Sequence, residues 1–182
     1  RNEKKTEKLG ENELLYNPAL SPSQTRISTS TYSIDGRNRL DILDASGNIR
    51  ESFSVPDTLQ IVQTAWLSEM DIYATAISEN GYGIYHINPC SGDWRNVLAP
   101  QPVMMTDLRT YQDELTFVCD RTGVNEFYHF DPSSGKLYQK TSIRHGGKSF
   151  CYSHDGKHLY YTSPTMKGNL VFRTSTENLI DR

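Results

Sequence analysis

Cysteine is scarce in this 182-residue chain, and the three present do not form a pattern. Cys90, Cys119 and Cys151 are odd in number, lie roughly thirty residues apart and include no C-x-x-C pair. They read as isolated thiols rather than a zinc site or a disulfide framework. Charge of one sign is lacking too: 19 Lys and Arg are interspersed among 22 Asp and Glu, for a net charge of -3. Such a chain builds no field for nucleic acid or anionic lipid. No apolar run approaches the roughly 20 residues that cross a bilayer as a helix. No stretch keeps a 3.6-residue apolar period bounded by caps, which argues against helical architectures. The chain opens at Arg1 without Met or a signal-like apolar segment. It is read as a piece of a longer protein, so its compartment is not legible from its own terminus.

What is present is strand material that repeats. Eleven Tyr and many Thr and Ser suit strands with one wetter face. The turn glycines Gly47, Gly92 and Gly135 recur at 45 and 43 residues. Ile27, Ile72, Leu115 and Leu159, each near the start of a second strand, recur at 45, 43 and 44. The hairpin glycines Gly36, Gly81, Gly123 and Gly168 recur at 45, 42 and 45. Three markers with one period identify a repeat protein.

The stretch from Glu114 to Leu137 shows the unit. Leu115 to Val118 and Phe127 to Phe130 are short strands. Asp120-Arg121-Thr122-Gly123 turns between them, and Asp131-Pro132-Ser133-Ser134-Gly135 closes the unit. Ile84 to Gly92 repeats the latter half. Four short β segments per 43 to 45 residues is the signature of a β-propeller blade. One four-stranded blade covers only one of its faces, so neighbouring blades must cover each other. The expected architecture is all-β, with about four four-stranded antiparallel blades. Residues 1–15 form a leading tail with Thr6 to Leu9 as the outer strand of a preceding blade. Residues 16–58, 59–101 and 102–145 are blades, and 146–182 is an incomplete fourth. Two arrangements are compatible with this count: a slice of a larger propeller, or a four-bladed ring closed by the leading strand.

Ser153-His154-Asp155-Gly156-Lys157-His158-Leu159 resembles the S-P-D-G-K-x-[ILV] signature of TolB-like propeller repeats, with His154 in place of Pro. That signature is also seen in propellers of the dipeptidyl-peptidase type. Ser21-Pro22 keeps its opening, whereas the second and third units have lost it. Asp120 to Tyr128 is similar to the S-D-R-x-G-x-x-x-[IL]-Y stretch of the same repeats, and Asp131 to Gly135 to their D-x-x-[ST]-G turn. The chain is also similar to large multi-domain envelope proteins of Bacteroidetes-type bacteria. The resemblance implies a propeller fold and a periplasmic, outer-membrane-associated or extracellular location. It implies no activity, because one superfold hosts many functions.

No residue is assigned as catalytic, cofactor-binding or metal-binding. There is no G-x-S-x-G elbow, and Gly146-Gly147 lacks phosphate-loop spacing. Asp155-Gly156 reads as a turn whose carboxylate accepts backbone N–H groups. His86 and His129 share one repeat position, which favours packing or a cross-blade hydrogen bond. His154 and His158 are separated by a glycine-containing turn and cannot align as helical metal ligands. Trp66, Trp94 and the tyrosines are expected between blades. Any binding site is expected at the mouth of the axial channel, around Tyr16, Asn17, Thr64, Thr106, Asp107 and Ser149. The function expected is a non-catalytic binding or scaffold module for protein, peptide or glycan partners within a larger envelope protein. The alternative is the substrate-gating propeller of a peptidase whose catalytic domain lies outside this chain. No cofactor, nucleic acid or membrane span is expected, and exposed blade ends are expected to favour self-association.

Overall fold

In the computed structural model, the residues described are Thr6, Lys8, Leu9, 14–33 and 37–182. Their strands form four antiparallel sheets in strict chain order, and no α-helix occurs among them. The first sheet holds β1 (Leu15–Leu20), β2 (Arg26–Tyr32), β3 (Asn38–Asp44) and β4 (Ile49–Ser54). The second holds β5 (Gln60–Ser68), β6 (Asp71–Ser78), β7 (Gly81–Ile87) and β8 (Trp94–Gln101). The third holds β9 (Met105–Tyr111), β10 (Glu114–Cys119), β11 (Glu126–Asp131) and β12 (Lys136–Gln139). The fourth has three strands, β13 (Lys148–Tyr152), β14 (His158–Thr165) and β15 (Gly168–Ser175). Successive sheets approach through their first strands, β1 beside β5 and β5 beside β9, as blades do around an axis.

The turns follow from their residues. Gly47, Gly92 and Gly135 all have positive φ, and each follows an Asp or Asn whose backbone carbonyl accepts its N–H. The same Asx side chains, Asp44, Asn88 and Asp131, accept N–H groups two residues on, which closes the turn locally. A side chain at Gly92 would also collide with the Phe53 ring of the first sheet, so this glycine permits blade contact as well as the turn. Gly36 lies outside the described residues.

Alternation in the middle strands gives the second and third sheets two apolar faces each and the first and fourth one. Leu40, Ile42, Trp66, Ile72 and Ala74 form one core between the first and second sheets. Tyr73, Ile84, Met105, Leu115, Phe117 and Tyr128 form a second, between the second and third. Val118, Phe127, Phe150 and Leu159 form a smaller third, between the third and fourth. No such core joins the fourth sheet to the first among the described residues.

One detail differs from the sequence reading, and one goes beyond the incomplete fourth blade that it expects. Of the expected leading strand, Thr6, Lys8 and Leu9 are not in a strand and Glu7 lies outside the described residues. At the other end the chain does not add an outer strand to the fourth sheet. After a 3-10 turn at Thr176–Asn178 it crosses back to the third. There Gln139 and Arg182 exchange backbone hydrogen bonds and Ile180 N–H donates to the Lys140 carbonyl. Leu179 packs on the third core and Asp181 pairs with Lys140. The partial burial of Leu179 and the pairing with the edge of the third sheet favour this return.

Candidate functional site

The first strands of three sheets carry the same irregularity. Asn17, Asp107 and Ser149 have φ of 52°, 58° and 54°, in the left-handed region, and each sits where the ladder to the second strand slips. An added residue at an inner strand bends it and frees main-chain groups. Left-handed φ costs non-glycine residues about 1–3 kcal/mol, least for Asn and Asp. In the third sheet the freed N–H of Leu108 donates to Gln63 Oε1 of the second sheet at 3.0 Å. Asp107 pairs with Arg109 at 2.7 Å, both partly exposed. The expected axial residues Asn17, Asp107 and Ser149 therefore each sit at an inner-strand bulge of their own sheet. Tyr16 stands beside the Tyr32 ring at 5.3 Å. Thr64 is a correction: it is 2% exposed and shares a hydrogen bond with Ser28 of the first sheet at 2.9 Å. The neighbouring Gln63, which follows a slip of the ladder after Ile61, reaches the opposite way, to Leu108 of the third sheet.

The most connected titratable group lies between the third and fourth sheets. His129, 4% exposed, contacts the Glu114 carboxylate through Nδ1 at 2.5 Å and the Tyr152 hydroxyl through Nε2 at 2.8 Å. A carboxylate only accepts, so Nδ1–H donates and Nε2 of the neutral ring accepts from Tyr152. Tyr111 stacks on Tyr152 at 3.9 Å, and Phe127 meets the imidazole edge-on. Burial pushes the His129 pKa down against the upward pull of Glu114, and burial prevails. Burial likewise drives the Tyr152 phenol up. A carboxylate, imidazole and hydroxyl in line have the order of a nucleophilic triad, but a phenol pushed upward is the reverse of an activated nucleophile. The arrangement is a clasp between blades. The second sheet repeats half of it, with His86 Nε2 on Asp71 Oδ1 at 2.8 Å. Glu114 and Tyr152 were not flagged from sequence. The available signal was that Asp71 and Glu114 recur at the same 43-residue spacing as His86 and His129.

Beside this clasp a cleft of 630 Å³ opens between the second and third sheets, lined by Asp71, Tyr73, Arg95, Glu114, Asp131 and Ser133. Ser68, ahead of His86, holds the Asp71 carboxyl below its usual range. Hydrogen bonds from Ser133 and Ser134 hold Asp131 at about 2. Both shifts run against service as a general acid.

The remaining residues singled out from sequence have local roles. Asp155 accepts from Lys157 N–H and the Ser153 hydroxyl, closing the turn before β14. His154 and His158 join no group of three or more possible metal ligands among the described residues. Gly146-Gly147 leads into β13, not into a helix. Trp66 is buried between blades, donating Nε1–H to Ser28 Oγ at 2.9 Å and facing the Arg26 guanidinium at 4.8 Å. Trp94 packs against the same core. Cys90 and Cys151 are exposed, whereas burial pushes the Cys119 thiol up, opposite to activation. No described helix is long and apolar enough to cross a membrane.

The sequence matches no protein-family model and no curated protein. Solved structures do resemble it. TolB from Acinetobacter baumannii is 18% identical over 92% of this chain and 42% of its own, with a TM-score of 0.73. A puromycin-hydrolyzing peptidase of Mycobacterium tuberculosis is 12% identical over 96% of this chain and 30% of its own, also at 0.73. Dipeptidyl peptidase 4 of Porphyromonas gingivalis is 13% identical over 91% of this chain and 30% of its own, at 0.64. The chain spans less than half the length of each of the three. Identities this low speak for fold alone. In fold, the chain is a run of TolB-like β-propeller blades.

Proposed function

We propose that this chain is the non-catalytic propeller module of a larger envelope protein and binds a protein, peptide or glycan partner at the axial mouth. The observation that carries the reading is the recurrence of left-handed, non-glycine residues at the inner-strand bulges, Asn17, Asp107 and Ser149. Left-handed residues kept at one repeat position break the regular strand where packing alone would favour it, and the side chains they carry are polar. The blade-to-blade cores, by contrast, serve stability. A periplasmic, outer-membrane-associated or extracellular location fits the resemblance to TolB-like envelope proteins. The test is capture of peptides and glycans from arrays by the whole chain, compared with Asp107→Ala and Arg109→Ala. Ligands lost in both variants support the reading; an unchanged profile overturns it.

A second reading, a propeller that gates substrate for a peptidase domain beyond this chain, is favoured by the peptidases among the structural neighbours, of which the chain covers 30%. Extending the coding sequence decides between the two. A G-x-S-x-G motif followed by Asp and His supports the peptidase reading, and a β-barrel or a plain end removes it.

A further inference from the structure

The three joints between successive sheets differ at one repeat position. The recurring residues Ile27, Ile72, Leu115 and Leu159 pair with Leu20, Trp66, Thr110 and Tyr152 on the first strands of their sheets. Ile72, Leu115 and Leu159 lie in the cores toward the preceding sheet, and residues directly opposite each other share a face. Trp66, Thr110 and Tyr152 therefore stand at the three joints in turn. Trp66 fills the first: it is buried, donates Nε1–H to Ser28 Oγ of the first sheet and lies against the Arg26 guanidinium. Tyr152 fills the third: it gives its hydroxyl to His129 of the third sheet and stacks on Tyr111.

At the second joint both rings of that stack are missing. Thr110, exposed, stands at the place of Tyr152. Ser68, paired with Asp71 as Tyr111 is with Glu114, stands at the place of Tyr111. The cleft of 630 Å³ opens at this joint, within the range of about 300–1,000 Å³ usual for ligand sites. Leu67, Tyr73 and Pro132 give it apolar wall. Asp71 gives it an acceptor: its carboxylate takes the Ser68 hydroxyl and His86 Nε2–H, yet 42% of the side chain stays exposed, with lone pairs to spare. Asp113 and Asp131 add negative charge at the mouth, with Arg95 opposing them.

We propose that this cleft takes the tyrosine side chain of a partner polypeptide, which plays at the second joint the part of Tyr152 at the third and donates its hydroxyl to Asp71. The template for the occupant is thus present in the chain itself. A hydroxyl bonded to a carboxylate is held more strongly than one bonded to a neutral acceptor, and the acids at the mouth favour basic residues beside the tyrosine. The inference rests on the reading of this chain as a protein-binding module, but not on the axial mouth.

The probe is a labelled Gly-Lys-Tyr-Lys-Gly peptide, set against versions with Phe or Ala at the centre and followed by fluorescence anisotropy on the whole chain. The Tyr peptide is expected to bind saturably, the Phe peptide roughly tenfold more weakly and the Ala peptide not measurably. Thr110→Tyr, which puts a ring where the cleft opens, is expected to abolish binding with the urea midpoint unchanged or raised. Asp71→Asn, which keeps the shape and removes the charge, is expected to bring the Tyr and Phe peptides level. Equal binding of all three peptides, binding that survives Thr110→Tyr, a Tyr preference that survives Asp71→Asn, or no saturable binding overturns the proposal. So does displacement by free tyrosine amide at the concentration of the peptide, which would make the occupant a small phenol. Asp107→Ala should leave this binding unchanged. Binding lost in Asp107→Ala but kept in Thr110→Tyr would move the site to the axial mouth and sink the cleft alone.

Discussion

Two blade-to-blade interfaces in this chain are built from different physics. Between the second and third sheets, aliphatic and aromatic side chains fill the gap, with Phe117, Leu115 and Ile84 inaccessible to water. Between the third and fourth, the apolar core is smaller, and Glu114, His129 and Tyr152 continue it as a hydrogen-bonded chain. Apolar burial scales with area and is indifferent to pH. A buried polar chain is worth little while complete, costs much when broken, and responds to protons. One repeat unit therefore supports one joint insensitive to pH and one that is not.

The sharpest way to break the first joint is Phe117→Ala. Removing a fully buried ring should cost about 3–5 kcal/mol, read as a lowered urea midpoint at unchanged slope. A loss under about 1 kcal/mol would mean that this core is not the main contact. The second joint is addressed by Tyr152→Phe, which keeps the ring stacked on Tyr111 but leaves His129 Nε2 unpaired. A loss of about 1–3 kcal/mol is expected, from the stranded acceptor rather than from packing.

A smaller effect separates the joints by pH. The pKa of His129 is lower folded than its ordinary value of 6.5, so on acidification the unfolded chain takes up the proton first. Its contribution is complete above about pH 6.5 and is lost as pH falls through the folded value. Chemical denaturation between pH 7 and 5 should show this slope in the wild type and not in His129→Leu; a slope shared by both would assign it elsewhere. The carboxylates act in a lower window, since hydrogen bonds from Asn48 hold Asp44, and Arg26 and Ser23 hold Glu69, at about 2. The smallest effect belongs to the joint between the first and second sheets. Arg26→Ala removes the half-exposed pair with Glu69 at 2.7 Å, expected to cost about 0.2–1 kcal/mol and less in high salt.

Legibility from sequence followed the same division. The strands and turns were readable because their signals are local: Gly92 and Gly135 after an Asx turn, and β-branched or aromatic residues on the middle strands. The inner-strand slips were not, because one added residue reverses the alternation without leaving a mark in composition. Thr64, expected at the axial mouth, turns instead to Ser28 of the first sheet, while Gln63 meets Leu108 of the third. Packing or a cross-blade hydrogen bond was expected of both His86 and His129; His129 makes such a bond to Tyr152, whereas the hydrogen bond of His86 to Asp71 stays within its own sheet. Of the two partners of His129, Glu114 lies on the neighbouring strand and carries the 43-residue recurrence as a signal, whereas Tyr152 comes from β13, which only the tertiary packing brings to β11. The return of Leu179 to Arg182 has no repeat to follow and no periodic signal.

That return has a mechanical consequence. Tension applied beyond Arg182 would load the hydrogen bonds to Gln139 and the Lys140–Asp181 pair before it reached β15. The last sheet would be peeled only after this latch had opened, so the third sheet acts as its force anchor.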